Sequence, residues 1–143
     1  MRVRNGFAVW LTGLPASGKS TLAQGLAAAL QTRGIPVQIL DSDQLRRVLT
    51  PRPDYTEAER EWFYDVVVFI AQMLTRNGTN VVLAATANRR RHRDDARERI
   101  QRFVEVYTQC PLGTCMARDR KGTYAKALSG EATTVPGLQV PYE

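Results

Sequence analysis

The residues best suited to chemistry lie close to the N-terminus, in Gly13-Leu14-Pro15-Ala16-Ser17-Gly18-Lys19-Ser20-Thr21. They fit the pattern G-x-x-x-x-G-K-[ST], with Gly13, Gly18, Lys19 and Ser20 in the required places. Glycines at both ends permit backbone conformations that turn the N–H groups around Ala16, Ser17 and Thr21 toward a polyphosphate. A helix starting near Lys19 aims its positive end at the same phosphates. Lys19, expected to stand in solvent without ligand, then reaches the β- and γ-phosphates, and the Ser20 hydroxyl can ligand Mg²⁺. The surroundings agree. Phe7 to Thr12 is a short, mostly apolar run typical of a strand, and Leu22, Leu26, Ala29 and Leu30 space out one face of a helix that stops near Gly34. Such a loop binds a nucleoside triphosphate.

Two further clusters have the residue types for phosphoryl transfer. Asp41-Ser42-Asp43-Gln44-Leu45-Arg46 ends an apolar run and places two carboxylates at a strand end, with a guanidinium one helical turn beyond Asp43. Asp43 can accept a proton from an acceptor hydroxyl or hold a metal-bound water, and Arg46 can grip an anion. The competing reading is a helix cap and a solvated arginine. Asn88-Arg89-Arg90-Arg91-His92-Arg93 is the second cluster. It suits an anionic ligand or the start of a charged helix equally well. His92, the only histidine, has no partner of suitable spacing and is assigned no catalytic role.

All but three of the 20 basic residues are arginine, and the formal net charge is +6. Arginine favours bidentate grips on phosphate or sulfate; a nucleic-acid surface is the less favoured explanation. The chain has 143 residues, enough for one domain that buries about two-thirds of its unfolded surface. No apolar run reaches membrane-spanning length, and the first residues lack a signal-peptide pattern, so a cytoplasmic protein is expected. Cys110 and Cys115 lack the pairing of a zinc site and read as ordinary thiols.

The elements that must position these groups alternate along the chain. Val37 to Asp41 reads as a second strand, followed by a helix through Leu49 capped by Ser42 or Asp43. A long helix runs from about Thr56 to Arg76, its stripe of Trp62, Phe63, Val66, Val67, Ile70 and Leu74 expected to face the core. Asn80 to Ala85 is a third strand, Arg91 to Phe103 a helix and Val104 to Thr108 a fourth strand. Leu112 to Leu128 is helical with a break at Lys121-Gly122. This alternation predicts a three-layer α/β/α fold around a mostly parallel sheet, with ligand loops at the carboxyl ends of the strands.

Assembled, these residues resemble the adenylylsulfate kinase (APS kinase) family over nearly the whole chain. The phosphate loop is that family's own version, and Asp41-Ser-Asp43-Gln-Leu-Arg46 is similar to its Asp-Gly-Asp-x-x-Arg segment. The most specific likeness is Pro111 to Ala127, followed by Gly130-Glu131 and Pro141-Tyr142-Glu143. The resemblance implies a P-loop kinase with strand order 2-3-1-4, the family's last strand lacking, in a single domain over 1–143. It further implies a mobile lid over about 118–137. ATP and Mg²⁺ would be used, and the γ-phosphate would pass to the 3′-hydroxyl of adenylyl sulfate. Lys19 and Asp43 would be catalytic, and Arg118 would join the loop in holding ATP. Asp41, Arg46, Tyr55, Arg60 and Lys121 would hold the acceptor; a homodimer is possible. Phe63 stands where the family carries an amide, Ala87-Asn88-Arg89-Arg90 at its Ser-Pro-Tyr-Arg, and Val135-Pro136-Gly137 at its lid Phe-Thr-Gly. The residues leave open a kinase for another small anionic acceptor and a non-catalytic nucleotide-binding protein.

Overall fold

The computed structural model describes residues 3–143. Four parallel strands form one sheet in the order β2-β3-β1-β4: β1 is Ala8–Thr12, β2 Val37–Asp41, β3 Asn80–Ala84 and β4 Phe103–Tyr107. The two central strands are almost entirely buried because both of their faces are covered, which is why they lack polar alternation. Trp10 and Ala8 point to one face, packing with Phe63, Tyr64, Val67 and Ile100. Val9 and Leu11 point to the other, against Ala23 and Leu26. Helices α1 (Lys19–Thr32) on one side and α3 (Glu57–Arg76) with α4 (Arg90–Arg99) on the other complete the three layers.

Several boundaries and faces differ from the sequence-based expectation. Helix α1 turns Ala23 inward and leaves Leu22 at 49% exposure, because α1 packs on β1, β3 and β2 through its Ala23 side and Leu22 lies off that face. The buried stripe of α3 is Phe63, Tyr64, Val67, Val68, Ala71 and Thr75; Ile70 and Leu74 pack beside it, whereas Trp62 is half exposed. Helix α2 (Ser42–Leu49) is capped by neither Ser42 nor Asp43 but by Asp41, whose Oδ1 accepts from the Asp43 N–H at 2.9 Å. Helix α4 ends at Arg99, with Ile100 already extended and buried under Trp10 and its neighbours.

The expected break within 112–128 is wider than two residues, separating α5 (Leu112–Arg118) from α6 (Thr123–Leu128). Asp119 explains the stop: its carboxylate accepts from the backbone N–H groups of Tyr124 and Ala125, capping the second helix instead of continuing the first. A small third core of Cys115, Tyr124, Ala127 and Val135 seats this segment on Leu14 and Ala16 of the phosphate loop. Among the described residues no helix is long and apolar enough to cross a membrane.

Candidate active site

The phosphate loop joins β1 to α1 through backbone angles that need its glycines. Gly13 has φ 152°, and a Cβ there would sit 2.7 Å from the Thr108 carbonyl oxygen. Gly18, at φ 98°, is the N-cap of α1 and supplies no side chain. The first turn of α1 contains no acidic residue, so its free N–H groups and dipole face an anion unopposed. At the base of the loop the Ser17 and Thr108 hydroxyls are buried without a protein partner, two polar groups that a ligand can engage.

Lys19 is not held out in solvent. Its Nζ donates to the carbonyls of Gly13 (3.1 Å) and Leu14 (2.7 Å), folded back over the loop it belongs to. Burial, seconded by the nearby Lys121 charge, pulls its pKa down to about 8. Beside it Ser20 Oγ donates to Asp41 Oδ2 at 2.6 Å. One carboxylate thus joins the loop's hydroxyl to the cap of α2. Asp43, one residue inside that helix, forms an ion pair with Lys121 from the segment between α5 and α6.

The arginines converge across from this cluster. Arg46 lies 4.0 Å over the Phe63 ring and 4.7 Å over the Tyr55 ring, and binds Glu59 at 3.2 Å. Arg60 approaches the same Tyr55 ring and donates to the Thr134 carbonyl at 2.7 Å. Tyr55 adopts φ 54°, and its carbonyl accepts from Thr134 Oγ1. The structure therefore unites Arg46, Tyr55 and Arg60 and brings the 130s segment onto them. Arg118 is not drawn in: it is exposed at the end of α5, with its guanidinium 4.0 Å from Cys110 Sγ.

Three participants escaped sequence reasoning. Glu59 accepts from Arg46 and from the Asp54 and Tyr55 N–H groups, shaping the arginine pocket from behind. Its signal was Thr56-x-x-Glu59, a capping-box spacing, and Thr56 Oγ1 indeed caps α3. Tyr124 donates to the Pro15 carbonyl at 2.7 Å, and the Tyr142 and Thr12 hydroxyls meet at 2.7 Å. Nothing local marks either tyrosine, because both contacts span more than a hundred residues. Much of the arginine run pairs internally: Arg89 and Arg91 with Glu57, Arg91 also with Glu61, and Arg93 through Nη1 with Glu105, while Arg93 Nε and Nη2 are buried without a partner. His92 stacks on Tyr64 at 4.7 Å, and burial lowers its pKa to about 4.

Comparison with known proteins agrees with this geometry. The sequence model of the adenylylsulphate kinase family matches residues 5–143. The chain belongs to that family. A probable adenylyl-sulfate kinase of Archaeoglobus fulgidus is 43% identical over 96% of this chain and 88% of its own length. The adenylyl-sulfate kinase of a Synechococcus strain is 40% identical over 98% of this chain and 80% of its own. The solved APS kinase of Mycobacterium tuberculosis, in complex with AMPPNP and APS, superposes with a TM-score of 0.90 at 36% identity, covering 98% of this chain and 83% of that one. Against this family background, Phe63 proves to be a fully buried core residue beneath Arg46, and Val135 belongs to the small core under α6.

Proposed function

We propose that this kinase transfers the γ-phosphate of ATP to the 3′-hydroxyl of adenylyl sulfate. Support comes from family membership and, above all, from one juxtaposition: the phosphate loop, tied to Asp41 through Ser20, Asp43 with its Lys121 partner, and the Arg46–Tyr55–Arg60 cluster lie on elements that follow one another in the fold. The acceptor oxygen forms a bond to the γ-phosphorus as the bond from that phosphorus to the β-bridging oxygen breaks, leaving ADP. Lys19 and the N-terminus of α1 neutralise charge on the transferring group. Asp43 takes the hydroxyl proton once Lys121 turns from it to the phosphates. Arg46 and Arg60 clamp the phosphosulfate, and Tyr55 offers a ring face to the acceptor. Arg118 closes from α5 over the nucleotide as residues 118–137 move as a lid.

Mg²⁺ fits the donor set. The Ser20 hydroxyl and the Asp41 carboxylate are hard oxygen ligands, and the described residues contain no cluster of three metal-binding side chains. Ser20 and Asp41 would hold the ion, which when bound would supply charge neutralisation on the transferring phosphate.

ADP release, coupled to an optical readout across adenylyl sulfate and a panel of sugars and sugar acids, tests the assignment. Turnover should require adenylyl sulfate. Asp43→Asn should lower kcat roughly a hundredfold or more, the range for loss of a general base. Its melting temperature should stay near wild type, since Asp41 and not Asp43 caps α2. Turnover with a sugar and none with adenylyl sulfate would move the acceptor to another class while leaving the kinase chemistry intact.

A further inference from the structure

Helix α3 opens with a capping pattern of which only half is spent on capping. Thr56 is the N-cap, and its Oγ1 accepts from the Glu59 N–H at 3.2 Å. In the reciprocal half of such a pattern the Glu59 carboxylate would accept from the Thr56 N–H. That N–H goes instead to Asp54 Oδ1 at 2.9 Å, which also accepts from the Thr56 hydroxyl. The Glu59 carboxylate is thereby released from the helix end and turns toward the arginine cluster. Its Oε2 accepts from the Asp54 N–H at 2.9 Å. Its Oε1 accepts from the Tyr55 N–H at 3.1 Å and from Arg46 Nη1 at 3.2 Å.

We infer that Glu59 is a positioning residue of the acceptor site, setting both the direction of the Arg46 guanidinium and the placement of the Tyr55 ring. The inference rests on the reading that Arg46 and Tyr55 meet the acceptor. The Arg46 and Glu59 side chains are 12% and 15% exposed, so water and salt screen this pair far less than a surface pair. The guanidinium is held at one corner and on its plane. Glu59 takes Nη1, and the Phe63 and Tyr55 rings lie 4.0 and 4.7 Å from its central carbon. Among the described residues none takes Nε or Nη2. A planar fork fixed in this way presents those donors together to one anionic group. Tyr55, at φ 54°, is in a conformation that a residue with a side chain keeps only where its surroundings hold it. Glu59 holds its N–H and the Thr134 hydroxyl its carbonyl. One carboxylate thus sets the fork and the ring, and it acts through them.

Steady-state kinetics of the full chain, with ATP and the acceptor each varied, tests this. Glu59→Gln keeps a carbonyl oxygen for the backbone N–H groups and removes the charge facing Arg46. It should raise KM for adenylyl sulfate about tenfold and leave KM for ATP within about twofold. Glu59→Asp, charged but one methylene shorter, should fall between the two, and it carries the test should the first variant not fold. In an Arg46→Ala background Glu59→Gln should add almost nothing to KM for the acceptor, because the arginine it directs is gone. Equal rises in KM for both substrates would overturn the proposal, as would a lowered melting temperature with both KM values unchanged. Effects of Glu59→Gln and Arg46→Ala that simply add would overturn it too. A wild-type chain that ignores adenylyl sulfate and turns over another anionic acceptor would displace the substrate reading instead. The same cycle, run with that acceptor, then decides the role of Glu59 by the same criteria.

Discussion

Lys19 shows how one side chain is tuned by what surrounds it. Folded onto the Gly13 and Leu14 carbonyls, it is desolvated and lies near Lys121, and its pKa falls to about 8. A lowered lysine pKa means that the charged form is lost as pH rises through that value. Free enzyme should therefore lose its grip on ATP above about pH 8, seen as a decline in kcat/KM for ATP with one ionisation. Lys19→Arg, which keeps its charge across this range, should turn over more slowly but without that decline. A wild-type profile flat to pH 10 would mean that the lysine stays charged as an ordinary one does. Asp41 is the other residue whose role depends on company. Its two oxygens serve different masters, one the Ser20 hydroxyl and one the α2 cap.

At the scale of elements, the α3–α4 pair is fastened by buried and half-buried charge. His92 lies on α4 at 6% side-chain exposure, stacked on Tyr64 of α3 with Glu61 at 3.9 Å. Burial comes first in lowering its pKa from 6.5 to about 4, and the neighbouring Arg91 charge adds to it. Since Arg91 also pairs with Glu61, that carboxylate does not rescue the imidazolium. The unfolded chain takes up the proton near pH 6.5 and the folded chain only near pH 4. Stability is thus full above pH 6.5 and is lost as pH falls toward 4, by on the order of 2 to 3 kcal/mol. His92→Phe keeps a ring against Tyr64 and has nothing to titrate. Denaturant melts of the two proteins should diverge by this amount across the window; parallel curves would show that His92 titrates in the fold as it does in water.

For the whole molecule, the arrangement is two bodies of packing joined at the phosphate loop. The sheet and its covering helices form one, and the small core of Cys115, Tyr124, Ala127 and Val135 forms the other. Tyr124 is their hinge pin: 1% exposed, it donates to the Pro15 carbonyl, and burial pushes its pKa well above the usual tyrosine range. Tyr124→Phe removes one hydrogen bond and leaves a carbonyl of the loop unpaired, a loss of about 1 kcal/mol. KM for ATP should rise roughly five- to tenfold, since a tenfold change corresponds to about 1.4 kcal/mol. An unchanged KM would show that the loop holds its shape without the second body. On the far edge β4 leaves Val104 and Val106 at 51% and 38% exposure, on the face that α1 covers only as far as β1.

Local sequence determined the phosphate loop, the four strands and their parallel sense, whereas the order of the strands came only through likeness to a family. The first three rest on information within a few residues, in glycine placement, runs of buried apolar residues and the spacing between strands and helices. The convergence of Arg46, Tyr55 and Arg60 was legible only through likeness to a family, because Arg60 is a helix residue whose own neighbours are glutamates. Tertiary structure alone decided which face of α3 lies inward. Phe63 and Tyr64 continue one apolar surface and Trp62 and Phe69 another, and helical periodicity cannot rank two faces that are both apolar; the sheet and α4 did so by covering one of them. It also decided that Lys19 folds back and that Asp41, not Asp43, caps α2. Carboxylates two residues apart have the same capping chemistry, and what separates them is where the strand ends: Asp41, still extended, is the N-cap, and Asp43 lies inside the helix.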